Sequence, residues 1–407
     1  MHKSIRSGGL MMKLSERARA IKPSPTFAVE AKAREMRARG IDVIGFGAGE
    51  PDFDTPEHIR DAGIDAINSG FTRYTPTAGI PELKEAIVAK LRRDNGLDYE
   101  PSQIIVSCGA KHSLYNAFQA LCGPGDEVII PAPYWVSYPD QVRMSGARPV
   151  IVDTSSTDFK ITPRVLADAI TPRTRAIILN SPSNPTGVMY SQDELSAIAE
   201  IVVENDLFVV SDEIYERLLY RGAEFVSIAA LGEEIKARTL VVNGVSKTYA
   251  MTGWRIGYAA GDSELISAMN KIQSHSTSNP CSISQRAALA AITGPDEPVQ
   301  YMVEQFRVRG EYMHERLSGM PGIECVEPVG AFYCFPKVSS YYGKSLAGEV
   351  VKDSVSFADA ILEKAHVAVV AGAGFGTEDY VRMSYATSLE KIKEGLDRLE
   401  QALSEMK

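Results

Sequence analysis

Leu207-Phe208-Val209-Val210-Ser211-Asp212-Glu213-Ile214-Tyr215 is a short apolar run that stops at two acids. A run of that kind, too short for a helix and rich in β-branched residues, reads as a strand covered on both faces. Similar runs stand at 104–107, 127–131, 148–152, 176–180, 240–243 and 256–260, giving seven candidate strands. Helical segments separate them from 103 to 261, the alternation that builds a mostly parallel sheet between two layers of helices. The expected class is therefore α/β. Asp212 falls at the carboxyl end of its strand, the edge at which open α/β sheets bind ligands. A carboxylate there can pair with a protonated ring nitrogen or can cap the helix that follows. Tyr215, three residues on, points to the same side of the chain and reads either as a site hydroxyl or as a core tyrosine.

Outward from the sheet, Ser191 with Glu194 forms a capping box, Pro56 and Pro81 sit where first-turn prolines belong, and Gly70 and Gly96 mark helix ends. Beyond Pro295 the pattern changes to a long amphipathic stretch, 297–317, then short strands near 331–335, 368–370 and 380–384, then a last helix over 389–403. The expected division is a tail over 1–13, a first piece of a smaller α+β domain over 14–48, a large domain over 49–295, and the rest of the small domain over 296–407. Met1, Met11 and Met12 are alternative starts.

A net charge of -9, with 43 Lys plus Arg against 52 Asp plus Glu, offers no general attraction for nucleic acid or an anionic membrane. The expected partners are small molecules. No apolar run reaches the roughly 18 residues of a spanning helix, and 1–13 lacks the apolar core of a signal peptide, so the expected setting is cytoplasmic. The five cysteines form no C-x-x-C pair and read as mostly buried, small apolar residues. The six histidines show no ligand-pair spacing, and no metal is expected.

The chemistry concentrates in Val245-Ser246-Lys247-Thr248-Tyr249-Ala250-Met251-Thr252-Gly253-Trp254-Arg255-Ile256-Gly257-Tyr258. A lone lysine after a strand is ordinarily a solvated loop residue. Here Ser246 and Arg255 supply the hydroxyl and guanidinium that bind a phosphate dianion, and an amine beside a phosphate site suggests a Schiff base. Asn180-Ser181-Pro182-Ser183-Asn184-Pro185-Thr186-Gly187 is a turn by composition, yet it places the Asn184 amide at the ligand-binding edge. Ser107-Cys108-Gly109-Ala110-Lys111 joins a strand to a helix through residues small enough for backbone N–H groups to close on a phosphate.

Together with Gly47-Ala48-Gly49-Glu50-Pro51-Asp52-Phe53-Asp54-Thr55-Pro56, Tyr74-Thr75-Pro76, Pro133-Tyr134-Trp135-Val136-Ser137-Tyr138-Pro139 and Arg382-Met383-Ser384-Tyr385-Ala386-Thr387, these segments resemble the fold-type I pyridoxal-phosphate aminotransferases of class I and II. The bacterial aspartate aminotransferase subgroup is the nearest match in motif order, over about 14–403. The resemblance implies pyridoxal 5'-phosphate as cofactor and a ping-pong exchange of amino groups between amino acids and 2-oxo acids, with aspartate and 2-oxoglutarate as the expected pair. It implies that Lys247 is the Schiff-base lysine and proton carrier, Asp212 the partner of the pyridine nitrogen, and Tyr215 and Asn184 donors to the ring oxygen. It places Trp135 against the ring and Gly109, Ala110, Ser246 and Arg255 around the phosphate. Tyr74 would cross from a second subunit of a homodimer. Arg382, helped by Asn184 and the Gly47 backbone, would clamp the substrate α-carboxylate.

The 274–280 stretch offers no arginine for a distal carboxylate, so the resemblance leaves that task to Lys111 and to Lys22 in Ile21-Lys22-Pro23-Ser24. A flexible lysine holds a carboxylate less rigidly than arginine, which leaves room for aromatic or prephenate/arogenate-type substrates. Gly372-Ala373-Gly374-Phe375-Gly376 lacks the spacing of a nucleotide loop and reads as a turn. Two alternatives stay open. One is another fold-type I enzyme, such as an aromatic or alanine aminotransferase or a β-lyase. The other is a ligand-sensing regulator, for which the stretch before Leu14 is too short to hold a DNA-binding module.

Overall fold

A computed structural model describes residues 14–15, 18–19, 21, 25–346 and 348–407. The expectations for 1–13 and for Lys22 lie outside the described residues.

One sheet holds all seven expected strands: β1 (Ile104–Ser107), β2 (Glu127–Ala132), β3 (Arg148–Asp153), β4 (Thr174–Asn180), β5 (Phe208–Asp212), β6 (Thr239–Gly244) and β7 (Gly257–Ala260). Their spatial order is β1-β7-β6-β5-β4-β2-β3. β2 to β6 pair in parallel, and β7 is antiparallel to both of its neighbours, β6 and β1. Alternate residues of β1 face opposite layers: Ile104 and Val106 join one apolar cluster, Ile105 another. That double covering explains the unbroken apolar runs. β3 departs from it. It lies at one edge of the sheet, its residues are exposed or half-buried, and Arg148 reaches back to Glu127 at 2.6 Å. The opposite edge strand, β1, is buried throughout, so edge position alone does not set exposure.

A second core forms around Phe306, Phe332, Tyr333, Met383 and Tyr385, and Tyr215 and Leu218 from just beyond β5 pack into it. The strand Ile44–Gly45 pairs in parallel with Val367–Ala368, and Ala33 and Met36 of helix Pro25–Ala38 pack on Leu362 and Ala368. Residues near the start of the chain thus complete the structure built by its end.

The helix Glu57–Asn68 starts one residue after the expected place, with Pro56 at its N-cap, while Pro81 opens Pro81–Asn95. The Ser191–Glu194 capping box is formed. Of the cysteines only Cys122 and Cys334 are buried; Cys108 and Cys325 are half-buried and Cys281 is exposed, which corrects the expectation of mostly buried thiols. Among the described residues no helix is long and apolar enough to cross a membrane, and no cluster of metal-ligating side chains is present.

Candidate active site

Parallel pairing brings the carboxyl ends of β4, β5 and β6 to one edge, and β1, antiparallel to β7 as β6 is, ends there too: Asn180, Asp212, Gly244 and Ser107. β7 runs the other way, so its amino-terminal flank arrives at that same edge. Gly257 is in register with both Ser107 and Gly244, and this brings Arg255 alongside Gly109. The approach is close enough to demand glycine. A Cβ on Gly109, whose φ is +87°, would lie 2.3 Å from Arg255 Nη2, and one on Gly257 would lie 2.1 Å from the Ala110 nitrogen.

Gly109 is the N-cap of helix Ala110–Leu121, so that helix's free N–H groups open toward the cavity. Arg255 is held by the carbonyls of Thr252 (2.8 Å) and Cys108 (3.4 Å), and among the described residues no carboxylate pairs with it. With Ser246 on the cavity wall, these groups suit a phosphate dianion.

Lys247 donates to the Gly49 carbonyl at 2.5 Å. Desolvation pushes its amine down to about 8, against the opposing charge of Glu50, so a substantial neutral fraction exists near physiological pH. A neutral amine is what nucleophilic and base chemistry require.

Asp212 is buried, and burial raises its carboxyl to about 6 while Tyr138 and the Ile214 amide hold it back. The Tyr138 hydroxyl donates to Oδ2 at 2.6 Å, and the Ile214 N–H reaches Oδ1 only at 3.4 Å. No helix begins there, so capping is not this side chain's main task. A buried, partly protected carboxylate facing a cavity suits a cationic ring nitrogen.

Arg382, buried in strand Val381–Ser384, donates through Nη1 to Asn184 Oδ1 (3.0 Å) and through Nη2 to the Gly47 carbonyl (2.8 Å). Its guanidinium lies 4.6 Å from the Tyr333 ring centroid and 5.1 Å from that of Phe375, in the turn read as structural. Nε has no partner, and each Nη keeps a second proton, so three donors remain, enough for a bidentate carboxylate. Asn184 spends its oxygen on Arg382, leaving its NH₂ to donate elsewhere. The 181–187 turn is fixed by Asn180, which accepts from the Asn184 N–H (2.8 Å) and donates to the Asp212 carbonyl (2.9 Å).

Gly47, Ala110, Lys111, Trp135, Asn184, Asp212, Tyr215, Ser246, Lys247, Arg255 and Arg382 line one cavity of about 850 Å³. Lys111 Nζ stands 4.8 Å over the Trp135 ring, with no carboxylate partner among the described residues. Gly109 sits behind the wall, touching Arg255. Tyr74 is outside the cavity and 91% exposed. Tyr138 and Tyr333 are among the cavity residues that had no role from sequence. Tyr138 lay in a quoted motif, three residues after Trp135; nothing local marked Tyr333. A phosphate cradle, a depressed amine, a buried carboxylate and an unpaired guanidinium around one cavity form the donor set that pyridoxal phosphate and an amino acid require.

Residues 41–399 match the family model for aminotransferase class I and II. An aspartate aminotransferase of Geobacillus stearothermophilus is 54% identical over 389 residues, covering 95% of this chain and 98% of the relative. An aspartate/prephenate aminotransferase of Nitrosomonas europaea is 49% identical over 397 residues, 97% of this chain and 100% of the relative. Among solved structures, the aspartate aminotransferase from Rhizobium meliloti superposes with a TM-score of 0.94 at 44% identity, over 98% of this chain and 100% of that one. The Thermus thermophilus aspartate aminotransferase with maleate gives 0.91 at 46% identity, over 96% and 100%.

Proposed function

Since the chain belongs to the class I and II aminotransferases, enzymes that depend on pyridoxal phosphate, we propose that it is an aspartate aminotransferase, converting L-aspartate and 2-oxoglutarate to oxaloacetate and L-glutamate. One observation carries the substrate: Arg382 and Lys111, both without carboxylate partners among the described residues, line the same cavity as the Arg255 of the phosphate cradle. A dicarboxylic amino acid satisfies both.

When bound, the cofactor supplies an electron-withdrawing ring that acidifies the substrate's α-proton. Lys247 Nζ moves that proton, competent once it is neutral, and the Gly49 carbonyl holds it over the site. Asp212 pairs with the ring nitrogen and keeps it protonated. Tyr215 and the Asn184 amide donate to the ring oxygen, Trp135 covers the ring face, and Gly109, Ala110, Ser246 and Arg255 take the phosphate. Arg382, braced by Asn184 and Gly47, orients the α-carboxylate, and Lys111 the distal one.

The same proposal includes a homodimer in which Tyr74 enters the partner's cavity, which accords with a tyrosine so fully exposed on one subunit. It also includes a cytoplasmic setting and a division into a large domain over 49–295 and a small one from 14–48 and 296–407. The pairing of Ile44–Gly45 with Val367–Ala368 supports that division.

A panel of amino donors with 2-oxoglutarate tests the substrate. Aspartate should lead in kcat/KM, ahead of alanine and phenylalanine. A second reading, tolerance of aromatic or prephenate-type substrates, is favoured by Lys111 lying over Trp135, where a flexible lysine leaves a ring to stack on. Product released without any 2-oxo acid acceptor would instead make the enzyme a lyase.

A further inference from the structure

Tyr215 and Tyr333 come from segments 118 residues apart and meet hydroxyl to hydroxyl at 2.9 Å, both buried. Among the described residues neither hydroxyl has another hydrogen-bond partner. Their rings pack edge to face, with centroids 5.9 Å apart at 84°. Tyr333 also lies against Arg382, at 4.6 Å, and a Cβ on Gly49 would come within 3.5 Å of its oxygen. Gly49 is the residue whose carbonyl holds Lys247. One side chain thus touches the hydroxyl aimed at the ring oxygen, the guanidinium for the α-carboxylate and the loop that holds the catalytic amine.

In a pair of phenols each can donate, and the more acidic one does so better. Burial pushes both hydroxyls up. Arg382 counters that rise on both hydroxyls, but it is the leading charge on Tyr333, whereas on Tyr215 the neighbouring Tyr333 comes first and raises it, and Asp212 adds to the rise. Tyr333 is the stronger donor. If it gives its proton to the Tyr215 oxygen, the Tyr215 proton is left free to point into the cavity, and a hydroxyl that accepts one hydrogen bond donates a stronger one.

We propose that Tyr333 is a positioning residue: it donates to Tyr215, turns the Tyr215 proton toward the cofactor's ring oxygen, and through Arg382 makes that donor sensitive to a bound substrate carboxylate. A carboxylate on Arg382 offsets the guanidinium's field at Tyr333, which then donates less strongly to Tyr215. The inference rests on the reading of the cavity as a pyridoxal-phosphate site.

The test uses apoenzyme titrated with pyridoxal phosphate, and holoenzyme titrated with succinate, a dicarboxylate with no amino group. Tyr333→Phe keeps the ring against Arg382 and removes only the hydroxyl. It should raise the Kd for pyridoxal phosphate about three- to tenfold, the loss of one buried hydrogen bond. In a Tyr215→Phe background the same change should alter Kd less than about twofold, because the recipient is gone. Succinate should move the pH midpoint of the bound cofactor's visible absorbance in the wild type, and that movement should be at least halved in Tyr333→Phe. An equal effect on Kd in both backgrounds, or an undiminished succinate response, overturns the coupling. A wild type that binds no pyridoxal phosphate overturns the cofactor reading and this inference with it. Should Tyr333→Phe not fold, Tyr215→Phe carries the test alone: an undiminished succinate response in it overturns the coupling equally.

Discussion

The Tyr138 hydroxyl donates a 2.6 Å hydrogen bond to Oδ2 of Asp212, and both side chains are buried. Tyr138 comes from the start of helix Tyr138–Ser145, which follows β2, so two strands' worth of chain converge on one carboxylate.

Removing that hydroxyl should shift the acid side of cofactor binding. Burial raises the Asp212 carboxyl to about 6, and the Tyr138 bond opposes the rise. In Tyr138→Phe the carboxyl loses a donor to its charged form, a change of about 1.5 to 3 kcal/mol, or about one to two pH units. The affinity of apoenzyme for pyridoxal phosphate should therefore fall at a pH higher by that amount, measured by titration from pH 5.5 to 8.5. An unmoved profile removes Tyr138 from the site. Asp212→Asn, nearly isosteric but unable to hold a proton on the ring nitrogen, should lose kcat while keeping its fold.

Lys247→Ala should fold and bind cofactor yet lose at least about 10² to 10⁴ in turnover, since general acid–base work alone has that worth. Borohydride treatment of the wild-type holoenzyme should label Lys247 and leave the variant unlabelled. Turnover near the wild-type rate in the variant is incompatible with the assignment.

The two carboxylate-reading cations separate by substrate. Arg382→Ala should raise KM for every amino-acid donor, because a lost charge-assisted bond costs about 1.5 to 3 kcal/mol whatever the side chain. Lys111→Ser should act on aspartate and spare phenylalanine. A kcat/KM ratio of aspartate to phenylalanine that stays within a factor of about two, under 0.5 kcal/mol, leaves Lys111 without that role.

Glu213, next to Asp212, sets a stability profile of its own. Burial, then the charge of Glu216, pushes its carboxyl up to about 8, while hydroxyls of Ser211 (2.8 Å) and Ser227 (2.7 Å) donate to Oε1 and Oε2 is left without a partner. Between its ordinary value near 4.5 and about 8 the folded chain binds the extra proton, so its contribution to stability is fully present below 4.5 and is lost as pH rises through 8. The slope is at most about 1.4 kcal/mol per pH unit. Glu213→Gln stays neutral, so its melting temperature should fall less from pH 5 to 8.5 than that of the wild type. Parallel curves would show that Glu213 does not titrate in that window.

What was legible in the sequence was local. β1 was read to the residue, and the other sheet strands to within two, because a strand buried on both faces leaves an unbroken apolar run. Asp212 and Arg255 stood out because they directly flank such runs, and Lys247 and Asn184 because they follow one within four residues, and a strand's end is a fixed place in an α/β sheet. Exposure did not follow from composition, as Cys281 and β3 show, because it depends on what packs alongside.

Pairings across the chain were decided only by the tertiary structure. Tyr138 meets Asp212 across 74 residues, Tyr215 meets Tyr333 across 118, and Arg382 meets the Gly47 carbonyl across 335. The same holds for Arg255 and Gly109, which meet because β7 runs against both of its neighbours. Periodicity and end signals are written in neighbouring residues, so the sequence by itself determined the elements and the chemistry at their ends. Which hydroxyl tunes which acid is set by distances of about 3 Å between distant segments, and those exist only once the sheet has closed into its order.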